Sequence, residues 1–169
     1  TMVRLIGGDV CRYGADTNRC EIIVNGGTLR INEPGGDLVT FTWEDSAATP
    51  ELWHGIRVIS GEAKICSAHI EHAYCGVEYA NSASDTVNQC HFYHNEMYGI
   101  KANNSNLVVS DNKIEKPDGA DTLGYGIYMC SGAAPKVEDN HIKNYKYGIY
   151  KTGGGVPTLR GNKITRGYV

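Results

Sequence analysis

Tyr98-Gly99-Ile100-Lys101-Ala102, then Leu107-Val108-Val109-Ser110, then Asp111-Asn112-Lys113-Ile114 hold the fold of this chain in one short stretch. A glycine heads a first apolar strand. A second apolar strand follows, and an Asp-Asn pair leads into a third apolar position. The glycine-headed strand recurs as Gly55-Ile56-Arg57-Val58, Gly76-Val77-Glu78-Tyr79, Gly126-Ile127-Tyr128-Met129 and Gly148-Ile149-Tyr150-Lys151. Successive glycines are 21, 23, 27 and 22 residues apart. A period of that size marks stacked repeats rather than one closed globule.

Aligned on this period, three apolar columns run through the chain. The first is Ile65, Val87, Val109, Val137 and Leu159. The second is Ile70, Phe92, Ile114, Ile142 and Ile164, and the third is Val77, Ile100, Ile127 and Ile149. Three inward positions per repeat fit three short strands around a shared axis. Repeats of twenty-odd residues leave no room for crossover helices. The expected fold is therefore all-β, a right-handed parallel β-helix solenoid with three short strands per coil. Asn112, Asn140 and Asn162 share one column, with Ala68 and Cys90 in the same place in earlier repeats, and the asparagines predict an inward ladder that satisfies turn backbone groups.

The chain reads as a single domain over 1–169, with about 1–50 as irregular N-terminal or capping coils and 51–169 as regular coils. Residues 1–10 are expected to pair as apolar strands. Glu21 to Ile31 reads as two strands around a Gly26-Gly27 turn, and Leu38 to Thr42 as another strand. The long 27-residue step holds an insertion from Lys116 to Leu123, expected as a surface loop. The last repeat stops at Gly167-Tyr168-Val169, where a glycine-headed strand is due, which predicts a bare coil end or a longer natural chain.

A net charge of −3 argues against nucleic acid as a partner, because duplex binding needs a basic surface that displaces counterions. No apolar run approaches the ~18 residues of a spanning helix, so membrane insertion is not expected. Thr1 to Arg4 does not read as the start of a secretory signal. Cys11 and Cys20 flank a polar loop that a disulfide would tie off, while Cys66, Cys75, Cys90 and Cys130 are spread over several repeats. No Cys-x-x-Cys pair occurs, which argues against a zinc ribbon or thioredoxin-like site.

The tandem Asn-Lys-Ile and Tyr-Gly-Ile pattern resembles the parallel β-helix repeats of the pectate-lyase-like superfamily. Gly26-Gly27-Thr28-Leu29-Arg30, Val39-Thr40-Phe41-Thr42 and Leu52-Trp53-His54-Gly55-Ile56 resemble the opening of large bacterial surface and secreted β-helix proteins. The resemblance covers about residues 21–169 and implies the fold. It implies an extracellular or cell-surface location in a bacterium. It does not choose among lyases, hydrolases, epimerases, phage spikes, adhesins and spacers.

Five sets of residues carry chemistry. Arg57, Glu78, Lys101, Tyr128 and Tyr150 fall in one outward column, where a polysaccharide lyase would use Lys101 as base and Arg57 to neutralise a uronate. Glu78 lies between them and reads as a cross-strand partner. Tyr98, Tyr125 and Tyr147 precede the repeating glycines, with Tyr74 in a shifted place. Together with Tyr128 and Tyr150 they form a candidate ligand-binding aromatic face, suited to sugar rings, or a stacked ladder that stabilises the coil. His69 aligns with His91, and His72 with His94. The first pair would share a metal if a third ligand joined it, yet Lys113 and Lys116 continue the two columns. Asp111 and Asp139 stack as a candidate acid–base pair, or as Ca²⁺ ligands with turn carbonyls. Their place before the asparagines equally suits a turn role. Asp118 and Asp121 in the insertion would add oxygen ligands, and no other cofactor is expected.

The expected function is a non-catalytic secreted or surface module that binds a polysaccharide or cell-surface glycan, or serves as a scaffold. The alternative is a polysaccharide lyase or glycoside hydrolase acting on a uronate-rich polymer. Self-association through open coil ends is a third reading.

Overall fold

The structure is a computed structural model and describes residues 1–5, 16–43, 53–82, 84–119 and 123–165. After β1 (Met2–Leu5), one coil holds β2 (Cys20–Ile31) and β3 (Val39–Trp43), and the next holds β4 (Trp53–Cys66) and β5 (Ala68–Glu71). Four coils of three strands follow. They are β6 (Cys75–Ala80), β7 (Asp85–Asn88) and β8 (His91–Tyr93); β9 (Tyr98–Asn103), β10 (Leu107–Ser110) and β11 (Lys113–Glu115); β12 (Tyr125–Cys130), β13 (Lys136–Glu138) and β14 (His141–Lys143); and β15 (Tyr147–Lys151), β16 (Thr158–Arg160) and β17 (Lys163–Thr165).

Among the described residues every strand pairing is parallel and joins one coil to the next, the arrangement of a β-helix. Wall 1 stacks β15, β12, β9, β6 and the start of β4. Wall 2 stacks β16, β13, β10, β7 and the end of β4, and wall 3 runs β1-β3-β5-β8-β11-β14-β17. The long strands β4 and β2 bridge walls 1 and 2, so these two walls form one continuous sheet.

The three apolar columns are in register. Ile70, Phe92, Ile114, Ile142 and Ile164 pair in sequence on wall 3. Ile65, Val87, Val109, Val137 and Leu159 do so on wall 2, and Val77, Ile100, Ile127 and Ile149 on wall 1. Ile56 and Ile22 extend the wall-1 column into the earlier coils. Most of these side chains are fully buried, and the core is their narrow common file.

The repeating glycine has a steric cause. Gly76, Gly99, Gly126 and Gly148 do not have positive φ. A Cβ on Gly99 would collide with the Ile114 side chain and lie 2.6 Å from the Gly126 carbonyl oxygen, and Gly76 and Gly126 meet Phe92 and Ile142 in the same way. The chain turns onto wall 1 so close to the wall-3 file that only a hydrogen fits.

Gly26 and Gly27 do not make the expected turn. β2 runs through them as one strand, and register shifts at Asn25 and Thr28 against β4 show a bulge. Their φ values of 90° and 73° let the extra residues leave the ladder without reversing the chain. In residues 1–10, β1 pairs with β3, and the expected partner within 6–10 lies outside the described residues. The proposed Cys11–Cys20 bridge also falls on a residue, Cys11, outside them.

At the corner between walls 2 and 3, Ser67, Gln89, Asp111 and Asp139 adopt left-handed φ of 46–57°, and Gly161 follows at 63°. The next residue of each coil builds the ladder. Asn112 Oδ1 accepts from the Cys90 N–H at 2.9 Å, and its Nδ2 donates to Val87 O and to Asn140 Oδ1, both at 2.9 Å. Asn140 repeats this with Val109 O and Asn162 Oδ1, and Asn162 with Val137 O. Cys90 is a member too. Its Sγ lies 3.4 Å from Ile65 O, and burial pushes the thiol up to about 12, so it stays a neutral donor. Asn112→Ala is expected to cost about 2–3 kcal/mol in urea unfolding, because the Cys90 N–H and the Val87 carbonyl are left buried and unpaired. Asp111→Asn, one residue away but exposed, is expected to change stability by less than about 0.5 kcal/mol.

Candidate functional site

The outer face of wall 1 carries the densest chemistry. Arg57, Glu78, Lys101, Tyr128 and Tyr150 stand on adjacent strands in one file, as their spacing predicts. The file has a charged half and an aromatic half.

Glu78 is the hub of the charged half. It points outward from the core, yet only 8 % of it is exposed, because its partners cover it. Lys101 Nζ lies 2.7 Å from Oε1, Arg57 Nε 3.1 Å from Oε2, and His54 Nε2 3.3 Å from Oε2. Arg57 also reaches Glu21 at 3.1 Å. His54 Nδ1 faces Asp16 at 3.0 Å, Arg19 pairs with the same carboxylate at 3.1 Å, and the Arg19 guanidinium lies 4.3 Å from the Tyr74 ring centre. Burial alone would raise the Glu78 carboxyl, but His54, Lys101 and Arg57 outweigh it and hold it down at about 2. Asp16 behaves alike: burial works against ionisation, and His54, the Asn18 amide and Arg19 bring it to about 2. Burial would lower the Lys101 ammonium, and Glu78 more than reverses this, so its affinity for its proton rises. A lysine held this way is a poor proton acceptor.

Asp16, Arg19, Glu21 and His54 were missing from the sequence reading of this cluster. The first three lie in or before β2, ahead of the regular repeats. Only the alignment of β2 beside β4 brings them here.

Five tyrosines make the aromatic half. Tyr98, Tyr125 and Tyr147 stack at 5.4 and 5.1 Å between centres with planes 11° and 14° apart. Tyr128 and Tyr150 stack at 5.9 Å and 8°. Rings of the two rows meet at 5.0–5.4 Å with tilts near 50°, giving a herringbone plate. Tyr74 joins edge-on, 6.1 Å from Tyr98 at 79°, in the shifted place its spacing predicts. The inner ring faces are turned to each other, so much of the outer surface consists of ring edges and hydroxyls. Lys101 and Lys146 lie 5.4 Å from the centres of Tyr98 and Tyr147, at the two ends of the longer row. Tyr147 and Tyr150, each 36 % exposed, are the most open rings of the plate.

The other candidates lie elsewhere. His69 and His91 on wall 3 stack at 4.6 Å with planes 10° apart. Nε2 of His69 lies 3.3 Å from Glu71, and Nε2 of His91 lies 2.9 Å from Glu115. Parallel rings turned to separate carboxylates do not converge on one ion. Among the described residues no group of three His, Cys, Asp or Glu is placed to hold a metal. Asp111 and Asp139 occupy the left-handed corner. Asp111 accepts from Asn88 Nδ2 at 3.2 Å, and Asp139 lies 3.9 Å from Arg160. In the insertion, Lys116 folds back to donate to Leu123 O at 2.7 Å, and Asp118 pairs with Lys143 at 3.1 Å. Asp121 lies outside the described residues.

Comparison with known families matches residues 15–164 to the family described as right handed beta helix region. No curated protein and no solved structure matches the chain.

Proposed function

The chain belongs to the right-handed β-helix family, and from that premise we propose that it is a non-catalytic secreted or cell-surface module, a rigid coil stack whose tyrosine plate contacts carbohydrate. The observation that carries this reading is the five-ring plate on wall 1. A tyrosine offers flat apolar surface and a polar tip, the pairing a sugar ring matches with its C–H face and hydroxyls. The plate is held rigid by its own stacking, so little side-chain freedom is lost on binding. The outward ring edges supply apolar contact, and the hydroxyls supply hydrogen bonds. The paired charges beside the plate support the non-catalytic part. The candidate base Lys101 and the candidate cation Arg57 are both committed to Glu78.

A glycan array followed by calorimetry on the best neutral oligosaccharide tests this. Tyr147→Ala and Tyr150→Ala are each expected to weaken binding about tenfold, since one ring–sugar contact is worth about 1–1.5 kcal/mol. Unchanged affinity in both variants removes the plate from the function. Release of unsaturated or reducing ends from polygalacturonate, lost in Lys101→Ala, would establish the lyase or hydrolase reading instead.

A further inference from the structure

Five of the six histidines of the chain are on or beside wall 3. In one outward file, Thr40, His69, His91, Lys113, His141 and Lys163 stand on consecutive strands. His72 and His94 occupy the next corner, their rings 5.0 Å apart at 73°. The long file therefore offers one basic side chain per coil over five coils, about 4.8 Å apart in a straight line.

Five carboxylates border this line: Glu71 and Glu115 on its own strands, Asp111 and Asp139 at the corner before Lys113 and His141, and Asp118 beside Lys143. Glu71 faces His69, and Glu115 is shared between His91 at 2.9 Å and Lys113 at 2.5 Å. Tyr93 lies among His69, His72, His91 and His94. Lys116 follows His94 at the corner, Lys143 is paired with Asp118, and His141 Nε2 lies 3.2 Å from the Thr165 hydroxyl. Nδ1 of His72 is buried with no hydrogen-bond partner among the described residues, and Nε2 of His69 has the Glu71 carboxylate at 3.3 Å.

We propose that wall 3 is an acid-activated binding surface for a linear sulfated polysaccharide, laid along the coil axis with one anionic group facing each coil. Histidine is the side chain that changes charge between about pH 5 and 8, so acidification turns a mixed wall into a continuous cationic one. Burial, more than the neighbouring cations, keeps His69 and His94 below the usual imidazole range, so their charges arrive late. The overall charge of −3 holds polyanions off until then. Sulfate esters stay fully ionised across this range, so the pH dependence comes from the wall alone. A straight file with one charge per coil suits an extended chain better than the winding phosphates of a duplex.

Binding of a heparin-derived oligosaccharide at about pH 5 and about pH 7.5, at fixed low salt, tests the proposal. Affinity is expected to rise at least about tenfold in acid, with a steeper dependence on salt. The double variant His69→Gln/His91→Gln is expected to lose most of this gain, while Lys136→Gln, exposed on wall 2, keeps it. Circular dichroism at both pH values checks that each protein remains folded. Should the histidine variant not fold, the exposed pair Lys113→Gln/Lys163→Gln is expected to weaken binding at pH 5 about tenfold and to lower the salt slope by about two. Equal affinity at the two pH values overturns the proposal, as does a gain that survives the histidine changes or binding indifferent to the lysine changes. An equal gain for polygalacturonate, single-stranded DNA or phosphatidylserine vesicles also overturns it.

Discussion

Phe92→Ala is expected to lower the unfolding free energy by about 3–5 kcal/mol, the cost of emptying an aromatic site in a core that cannot collapse around it. Phe92 is fully buried, with Ile70 and Ile114 beside it in the wall-3 file. Its ring edge packs against Gly76, where the chain enters wall 1 with no side chain of its own. Backbone hydrogen bonds hold the coils above and below at the strand spacing, so neither moves in to fill the space. A solenoid also has no other core to share the loss, since each coil is stabilised mainly by its two neighbours. The missing ring weakens the interfaces on both sides of one coil in the middle of the stack. Phe92→Leu, which keeps most of the volume, is expected to cost less than about 1.5 kcal/mol. Urea unfolding of the three proteins measures both. A loss below about 1 kcal/mol for the alanine variant would mean that the wall-3 file is not the continuous core described here.

The files were legible in the sequence because stacking imposes one constraint, in the same place, on every coil. Ile70 and Ile164 are far apart in the chain, but each must point at the same axis, so the apolar column shows in one unaligned sequence. The glycine column was legible for the same reason, although its cause was not. A composition rich in glycine suggests left-handed backbone, and the structure instead shows Gly76, Gly99 and Gly126 squeezed against wall 3. Cys90 was legible as a member of the column but not of the ladder, because its share depends on a thiol standing where Asn112 and Asn140 put amides. Gly26-Gly27 was misread because a bulge and a turn use the same residue type, and only the unbroken pairing of β2 with β4 tells them apart. The tyrosine column could be read off, but not the direction of its rings. Whether a ring shows a face or an edge depends on the neighbouring coil. The link to Asp16 left no trace, because the segment before β2 lies outside the regular period, and His54, although inside it in β4, meets Asp16 only across that irregular segment.

Glu78→Gln is expected to cost about 3 kcal/mol at pH 7, near the low end for removing one partner of a buried ion pair, because the network keeps some contact with water. The amide keeps the shape of the carboxylate but not its charge. Lys101 and Arg57 would then lie partly buried beside a neutral group, and His54 would keep only Asp16 as an anionic partner. The pH dependence separates this electrostatic cost from a packing defect. Glu78 ionises at about 2 in the folded chain against the ordinary 4.5, so the folded state binds the proton more weakly than the unfolded chain. Its contribution is therefore complete above about pH 4.5 and is lost as the pH falls towards 2, an interval worth about 3 kcal/mol at 1.36 kcal/mol per unit. Asp16 adds a limb of the same sign below its ordinary 3.8. Urea midpoints at about pH 7, 5 and 3 should show the parent protein and Glu78→Gln well apart at the first two values and converging at the third. A gap that stays constant down to pH 3 would mean that Glu78 acts by shape alone. Convergence would show that Lys101 and Arg57 are held by a carboxylate that resists protonation, and so are committed to keeping the coils together rather than to meeting a substrate.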